Sequence, residues 1–197
     1  MDTTVETAEL VRRASTGNQS ACAELIRRHQ RQVSSTIYGI LGICPEAEDI
    51  GQETFLRFFS SLSSFRGEAS PSTYITRIAV NLCINEIRKR QRHRLFHPGT
   101  AAENLDNLPG TDISATVSLE QIAVHNALQR LSSKHRAVLV LRYISGYSTA
   151  ETAAILSLPT GTVLSRLSRA QEQIRRILDP EKKEKPYEPK EKIKILV

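Results

Sequence analysis

The segment STAETAAILSLPTGTVLSRLSR, residues 148–169, constrains this chain more than any other. Ser148 followed by Glu151 fits a capping box, in which each side chain satisfies an orphan amide of a starting helix. A short helix rich in Ala and Ile would follow and run out at Ser157. Leu158-Pro159 then breaks the pattern, because proline disfavours helical geometry in the residue before it. Thr160 can cap a second, longer helix carrying Val163, Leu167, Ala170, Ile174 and Ile177 at spacings of four, three, four and three. That is one apolar stripe at helical period. The opposite face offers Ser165, Arg166, Ser168, Arg169 and Gln173, all hydrogen-bond donors. Two helices joined by a tight turn, the second apolar behind and basic in front, describe a helix-turn-helix DNA reader. An ordinary helical hairpin with arginines on its outer face fits the stretch equally well, so the preceding residues decide.

The formal charge of +6 and the pI near 9.4 favour an anionic partner such as nucleic acid. Long valine-rich or strictly alternating runs are absent, and the expected fold class is all-α. Cys22, Cys44 and Cys83 form no CxxC pair and leave an odd thiol, which points to a reducing cytoplasm. No N-terminal apolar run resembles a signal peptide and no segment approaches ~18 apolar residues, so no membrane insertion is expected.

Along the chain, residues 5–15 read as a short amphipathic helix ended by Gly17-Asn18. A second helix is expected from about Ser20 to Leu41, with Leu25, His29, Val33, Ile37 and Leu41 at successive fourth positions. His29 reads as a satisfied, partly buried side chain, since no second His or Cys is placed to join it around a metal. Gly42 is a natural stop, and Pro45 suits the first turn of the next helix. In that helix Ala47, Ile50, Phe58 and Leu62, with Phe55 and Phe59, can seal a core. Glu46, Glu48, Asp49, Gln52 and Glu53 make its first half acidic. Acids in a first turn complement the helix dipole; in a basic protein they also read as a docking surface for a basic protein partner. No nucleophile, metal-ligand set or phosphate loop accompanies them, so neither catalysis nor a cofactor is expected.

Residues 64–70 form a loop, and Ser70-Pro71 opens the second informative helix, 71–93. Ile75, Ile78, Ala79 and Leu82 fall within one arc, whereas Arg77, Asn81, Asn85 and Arg88 fall on the far side. It ends in IRKRQRHR, residues 87–94, where five of eight residues are Arg or Lys. A polar Arg/Asn stripe running into a basic end reads as a nucleic-acid backbone contact.

Residues 95–116 contain two Pro-Gly steps and no periodicity, which marks a linker. Flexible, it would span roughly 25 Å; straight, about 70 Å. Periodicity resumes over 117–132 and 134–144 before the opening hairpin, and the 180–197 tail, dominated by Lys, Glu and Pro, is expected to be disordered. The expected organisation is therefore a helical unit over 1–94, the 95–116 linker, a helix-turn-helix unit over 117–179 and the tail. These features fit a stand-alone helix-turn-helix regulator with an N-terminal effector or dimerisation domain, and they leave open other DNA-binding roles for two linked helical units.

AEDIGQETFLRFF, SFRGEASPSTYITRIAVN and LQRLSSKHRAVLVLRYISGYSTAETAAILSLPTGTVLSRLSRAQEQIR, in that order and spacing, together resemble an extracytoplasmic-function sigma factor of the sigma-70 family. The resemblance covers about residues 8–178. It implies a non-enzymatic, two-domain protein whose partners are core RNA polymerase, promoter DNA and an anti-sigma factor. By that resemblance Asp49, Gln52, Glu53 and Phe55 would meet core polymerase. Phe65 and Asn81 match positions that in relatives help hold a flipped base of the minus-ten element, with Tyr74, Arg77, Arg88 and Arg90 around them. Thr160, Thr162, Ser165, Arg166 and Arg169 would read the minus-thirty-five element as duplex. Two departures bear on promoter choice: Tyr74 stands where relatives usually carry tryptophan, and Leu164 replaces a commonly basic residue.

Overall fold

The computed structural model describes residues 2–65, 67, 69–96 and 119–178. Helix α1 spans Asp2–Ser15, and Gly17, at φ +82°, turns the chain. The Asn18 side chain then caps α2, Gln19–Leu41, by accepting from the Ala21 amide at 3.0 Å. Gly42, at φ +88°, closes α2 by donating to the Tyr38 carbonyl. Pro45 opens α3, Pro45–Ser61, which tightens into a 3-10 turn over Leu62–Ser64. Ser70 accepts from the Thr73 amide at 3.1 Å and starts α4, Pro71–Phe96. The expected linker thus begins later than predicted: residues 95 and 96 are the last of α4, and residues 97–116 lie outside the described residues, as does the 180–197 tail. Among the described residues there is no strand, as the patterning implied.

The C-terminal helices are α5, Leu119–Gln129; α6, Ser133–Leu139; α7, Thr149–Leu156; and α8, Thr160–Leu178. The single helix expected over 134–144 changes hand-over pattern midway. Val140–Ile144 is a π turn, closed by the Ser145 amide on the Val140 carbonyl at 2.8 Å. Such wide turns re-aim side chains without ending the helix. Here both Val140 and Leu141 face inward and are fully buried.

The two helical units expected from the sequence pack against each other in this structure. Leu25, Ile37, Ile40, Phe58, Ile75 and Val80 of the first unit share one continuous core with Ala137, Val140, Leu141, Tyr147 and Ile155 of the second. The physical reason lies on α2. A Cβ on Gly39 would stand 2.9 Å from both Val140 methyl groups, closer than real contacts allow, so glycine is what lets the π turn seat against the helix. Polar groups complete the seam. The Tyr147 hydroxyl lies 2.6 Å from Thr76 Oγ1 and 2.8 Å from Ser72 Oγ. Gln32 Nε2 donates to the Ser145 carbonyl at 3.2 Å, and Ser72 Oγ donates to Gln32 Oε1 at 2.8 Å. Buried polar groups paired this way cost little and fix a single docking geometry. Two smaller apolar clusters, around Leu128, Leu139 and Ala170 and around Val138, Ala153 and Val163, hold α8 on its own unit.

Candidate nucleic-acid interface

Helix α4 carries its polar side chains on a definite phase. Tyr74, Asn81, Asn85, Arg88 and Arg92 recur at steps of seven, four, three and four, which keeps them on one face. Asn81, Asn85, Arg88 and Arg92 are all exposed. Asn85, Arg88, Gln91, Arg92 and Leu95 line a shallow open groove at the basic end. At the other end the loop brings Phe65 back over the helix, its ring 5.1 Å from that of Tyr74 and tilted by 54°. Tyr74 in turn leans on Phe58, which is fully buried. The aromatic pair is therefore anchored to the core yet half-exposed, at the head of an amide and guanidinium track.

Two residues expected on this track lie elsewhere. Arg90 is half a helical turn away and faces the start of α3. It donates to Glu46 at 2.9 Å, to Glu86 at 3.1 Å and to Cys44 Sγ at 3.1 Å. Glu46 is held below the usual carboxylate range by its own amide at the helix start, with Arg90 adding to the effect. Arg90 thus ties α4 to α3, and Arg92 takes its place on the open face. Arg77 lies at the edge of the track, half-buried, and donates to the Ala154 carbonyl at 2.8 Å. In this arrangement it belongs to the seam with the second unit.

The helix-turn-helix forms as its sequence signals require. Ser148 and Glu151 make both halves of the capping box, at 3.2 and 2.8 Å. Ser157 takes the left-handed conformation at φ 53°, and α8 begins three residues later. On α8, Thr160, Leu164, Ser165, Ser168 and Arg169 are exposed, while Val163 and Ala170 are fully buried behind them. Thr162 and Arg166 are half-buried, on the shoulder of the exposed face.

On α3, Asp49 and Gln52 are exposed, Glu53 is half-buried and paired with Arg57 at 2.6 Å, and Phe55 packs against the core. Between them stands Leu56, 65% exposed. The run of apolar residues around it hides this outward placement in the sequence; only the fourfold spacing from Glu48 and Gln52 betrays it. Elsewhere, burial pushes the Cys83 thiol up to about 12, so it is not a thiolate nucleophile at neutral pH. His29 is half-buried, and burial lowers its pKa, so it sits neutral on the helix stripe. Its Nε2 lacks a hydrogen-bond partner among the described residues, against the expectation of a satisfied ring. No cluster of metal-ligating side chains occurs among the described residues, and no helix among them is long and apolar enough to cross a membrane.

Residues 25–93 match the family model for Sigma-70 region 2, and residues 121–174 match that for Sigma-70, region 4. The chain is 34% identical to the ECF RNA polymerase sigma factor SigW of Bacillus subtilis over 178 residues, covering 85% of this chain and 94% of that one. The chain is an ECF sigma factor of the sigma-70 family. Similarity extends to SigM of Mycobacterium tuberculosis, 35% identical over 87% of this chain and 84% of that one. The solved structure of CnrH in complex with the cytosolic domain of CnrY is 26% identical, covers 87% of this chain and 96% of that one, and superposes with a TM-score of 0.66. Sigma factors bind core RNA polymerase and direct initiation at a subset of promoters; they are non-enzymatic regulators of transcription. In this sigma factor the region 2 match ends at the basic end of α4, and the region 4 match contains α7 and α8 as far as residue 174. The stand-alone regulator reading is not favoured.

Proposed function

We propose that the two exposed tracks divide promoter recognition between them, in the cytoplasm where core polymerase and DNA meet. Phe65 and Tyr74 stack on an unpaired base of the minus-ten element, Asn81 engages its edge, and Asn85, Arg88 and Arg92 follow the strand's phosphates. Extruding a base costs a few kcal/mol of stacking and pairing, and stacking on an aromatic ring returns about 1–3 kcal/mol. Helix α8 lies in the major groove of the minus-thirty-five element, with Thr160, Thr162, Ser165 and Arg169 toward the bases and Arg166 toward a flanking phosphate. Asp49, Gln52, Glu53, Phe55 and Leu56 form the contact with core polymerase. An anti-sigma factor belongs to the same picture as an antagonist of these surfaces. The observation that carries this reading is the placement of an anchored, half-exposed aromatic pair at the head of an exposed Asn/Arg track.

The seam adds a requirement. Two promoter elements more than one helical turn apart, about 34 Å, cannot both be reached while region 4 is seated on α2 and α4. Reading both requires release of Tyr147, Val140 and Arg77 from their contacts, with residues 97–116 as the tether between a 1–96 unit and a 117–179 unit. Substituting Phe65 or Asn81 by alanine tests the assignment. Each variant is expected to co-purify with core polymerase at the wild-type level yet to show reduced permanganate reactivity of promoter thymines, the signature of impaired melting. Equal loss of both properties would contradict the assigned role.

A further inference from the structure

Leu164 is 53% exposed on α8, on the face that presents Ser165, Ser168 and Arg169 to solvent. A single exposed leucine is ordinary on a protein surface. Its place here is not: it lies in the second turn of a recognition helix, where side chains meet base edges. One turn earlier, Gly161 has no heavy atom within 4 Å of where its Cβ would be, so the groove-facing side of the helix is open there. Short side chains at 165 and 168 leave the Leu164 isobutyl group as the bulk on that side. Its neighbours can donate hydrogen bonds; it can only offer apolar contact. In the major groove the one apolar feature that distinguishes base pairs is the C5-methyl of thymine.

We propose that Leu164 reads a thymine in the upstream promoter element by packing against its C5-methyl group. This rests on α8 being the reader of that element. Cytosine presents a donor and no methyl at the same place, so the contact discriminates T·A from C·G at one position. Burying one methyl corresponds to about a three- to fourfold change in occupancy.

The test uses the full chain assembled with core polymerase. Promoters selected from a randomised upstream element by the wild-type holoenzyme are expected to enrich thymine at one position. Replacing that thymine by deoxyuridine removes only the methyl and is expected to lower open-complex formation about three- to fourfold. Leu164→Ala is expected to lose both the enrichment and the deoxyuridine penalty, and Leu164→Met to retain part of each. Absence of any thymine enrichment, or an undiminished deoxyuridine penalty in Leu164→Ala, would overturn the proposal while leaving α8 as the reader. Failure of the holoenzyme to favour any upstream sequence would instead remove the reading on which the proposal rests. Because Leu164 lies outside the core, the alanine variant is expected to keep wild-type helical content, which circular dichroism checks.

Discussion

Reversal of Asp49 and Glu53 to lysine is expected to abolish co-purification with core RNA polymerase. Both side chains stand on the outer face of α3, which buries Ala47, Ile50, Thr54 and Phe58 on its other side. Two reversals shift the local charge by four. A like-charge confrontation at an interface costs several kcal/mol, whereas removing one exposed partner costs far less. The fold itself loses little. The Glu53–Arg57 ion pair is an exposed i,i+4 contact, of a kind that contributes about 0.3–0.5 kcal/mol, and an unchanged circular dichroism spectrum verifies this. Leu56 would sit at the centre of the same contact, where an apolar side chain ringed by polar ones commonly supplies much of the binding energy. Undiminished recovery of polymerase with the doubly reversed chain would remove α3 from the interface.

Replacing Arg136 by methionine is expected to destabilise the chain by about 3 kcal/mol. Arg136 is 9% exposed and has no carboxylate partner among the described residues. Its guanidinium instead gathers backbone carbonyls: Ile40 at 2.5 Å, Gln129 at 2.8 Å and Leu131 at 3.0 Å, with the Gln129 side chain beside them. Burial lowers its pKa, but from so high a starting value that the charge persists at neutral pH. Ile40 belongs to the last turn of α2, the negative end of the helix dipole, where a cation is stabilising. Deleting the guanidinium leaves three seam carbonyls without this donor, each costing about 1–3 kcal/mol where buried. The recovered desolvation of the cation offsets part of that. Lysine has no planar fork and should restore only a fraction. Urea denaturation of both variants measures this, and a loss under about 0.5 kcal/mol, the scale of an ordinary surface change, would show that the seam does not depend on Arg136.

Caps and periodicities made much of the fold legible. Ser148 with Glu151, Ser70-Pro71, Pro45 and Gly42 each mark a helix boundary because each meets a local need of the backbone that no distant contact overrides. The Asn81 track was legible for the same reason: a helix sorts side chains by phase, and exposed amides at that phase have no core to join. What periodicity cannot give is the partner of an apolar face. The periodicity over 134–144 marks an apolar helix, and nothing in the spacing of Val140 and Leu141, or in Tyr147 beyond them, announces that they pack on α2 and α4. The cue at Gly39, a glycine inside a strong helix, has meaning only once Val140 is seen above it. Within IRKRQRHR almost every residue is basic, so composition alone could not separate Arg90, bound to Glu46, from Arg92 on the open face.

One chain is expected to hold two readers, packed together when free and separated on a promoter. Dyes placed at Ala23 on α2 and Lys134 on α6, both exposed, report the distance between the units by single-molecule energy transfer. The free sigma factor is expected to give one short distance. Assembly with core polymerase on a promoter is expected to lengthen it by tens of ångströms, on the order of one 34 Å turn of DNA. The same short distance in an open complex that carries both promoter contacts would contradict the account.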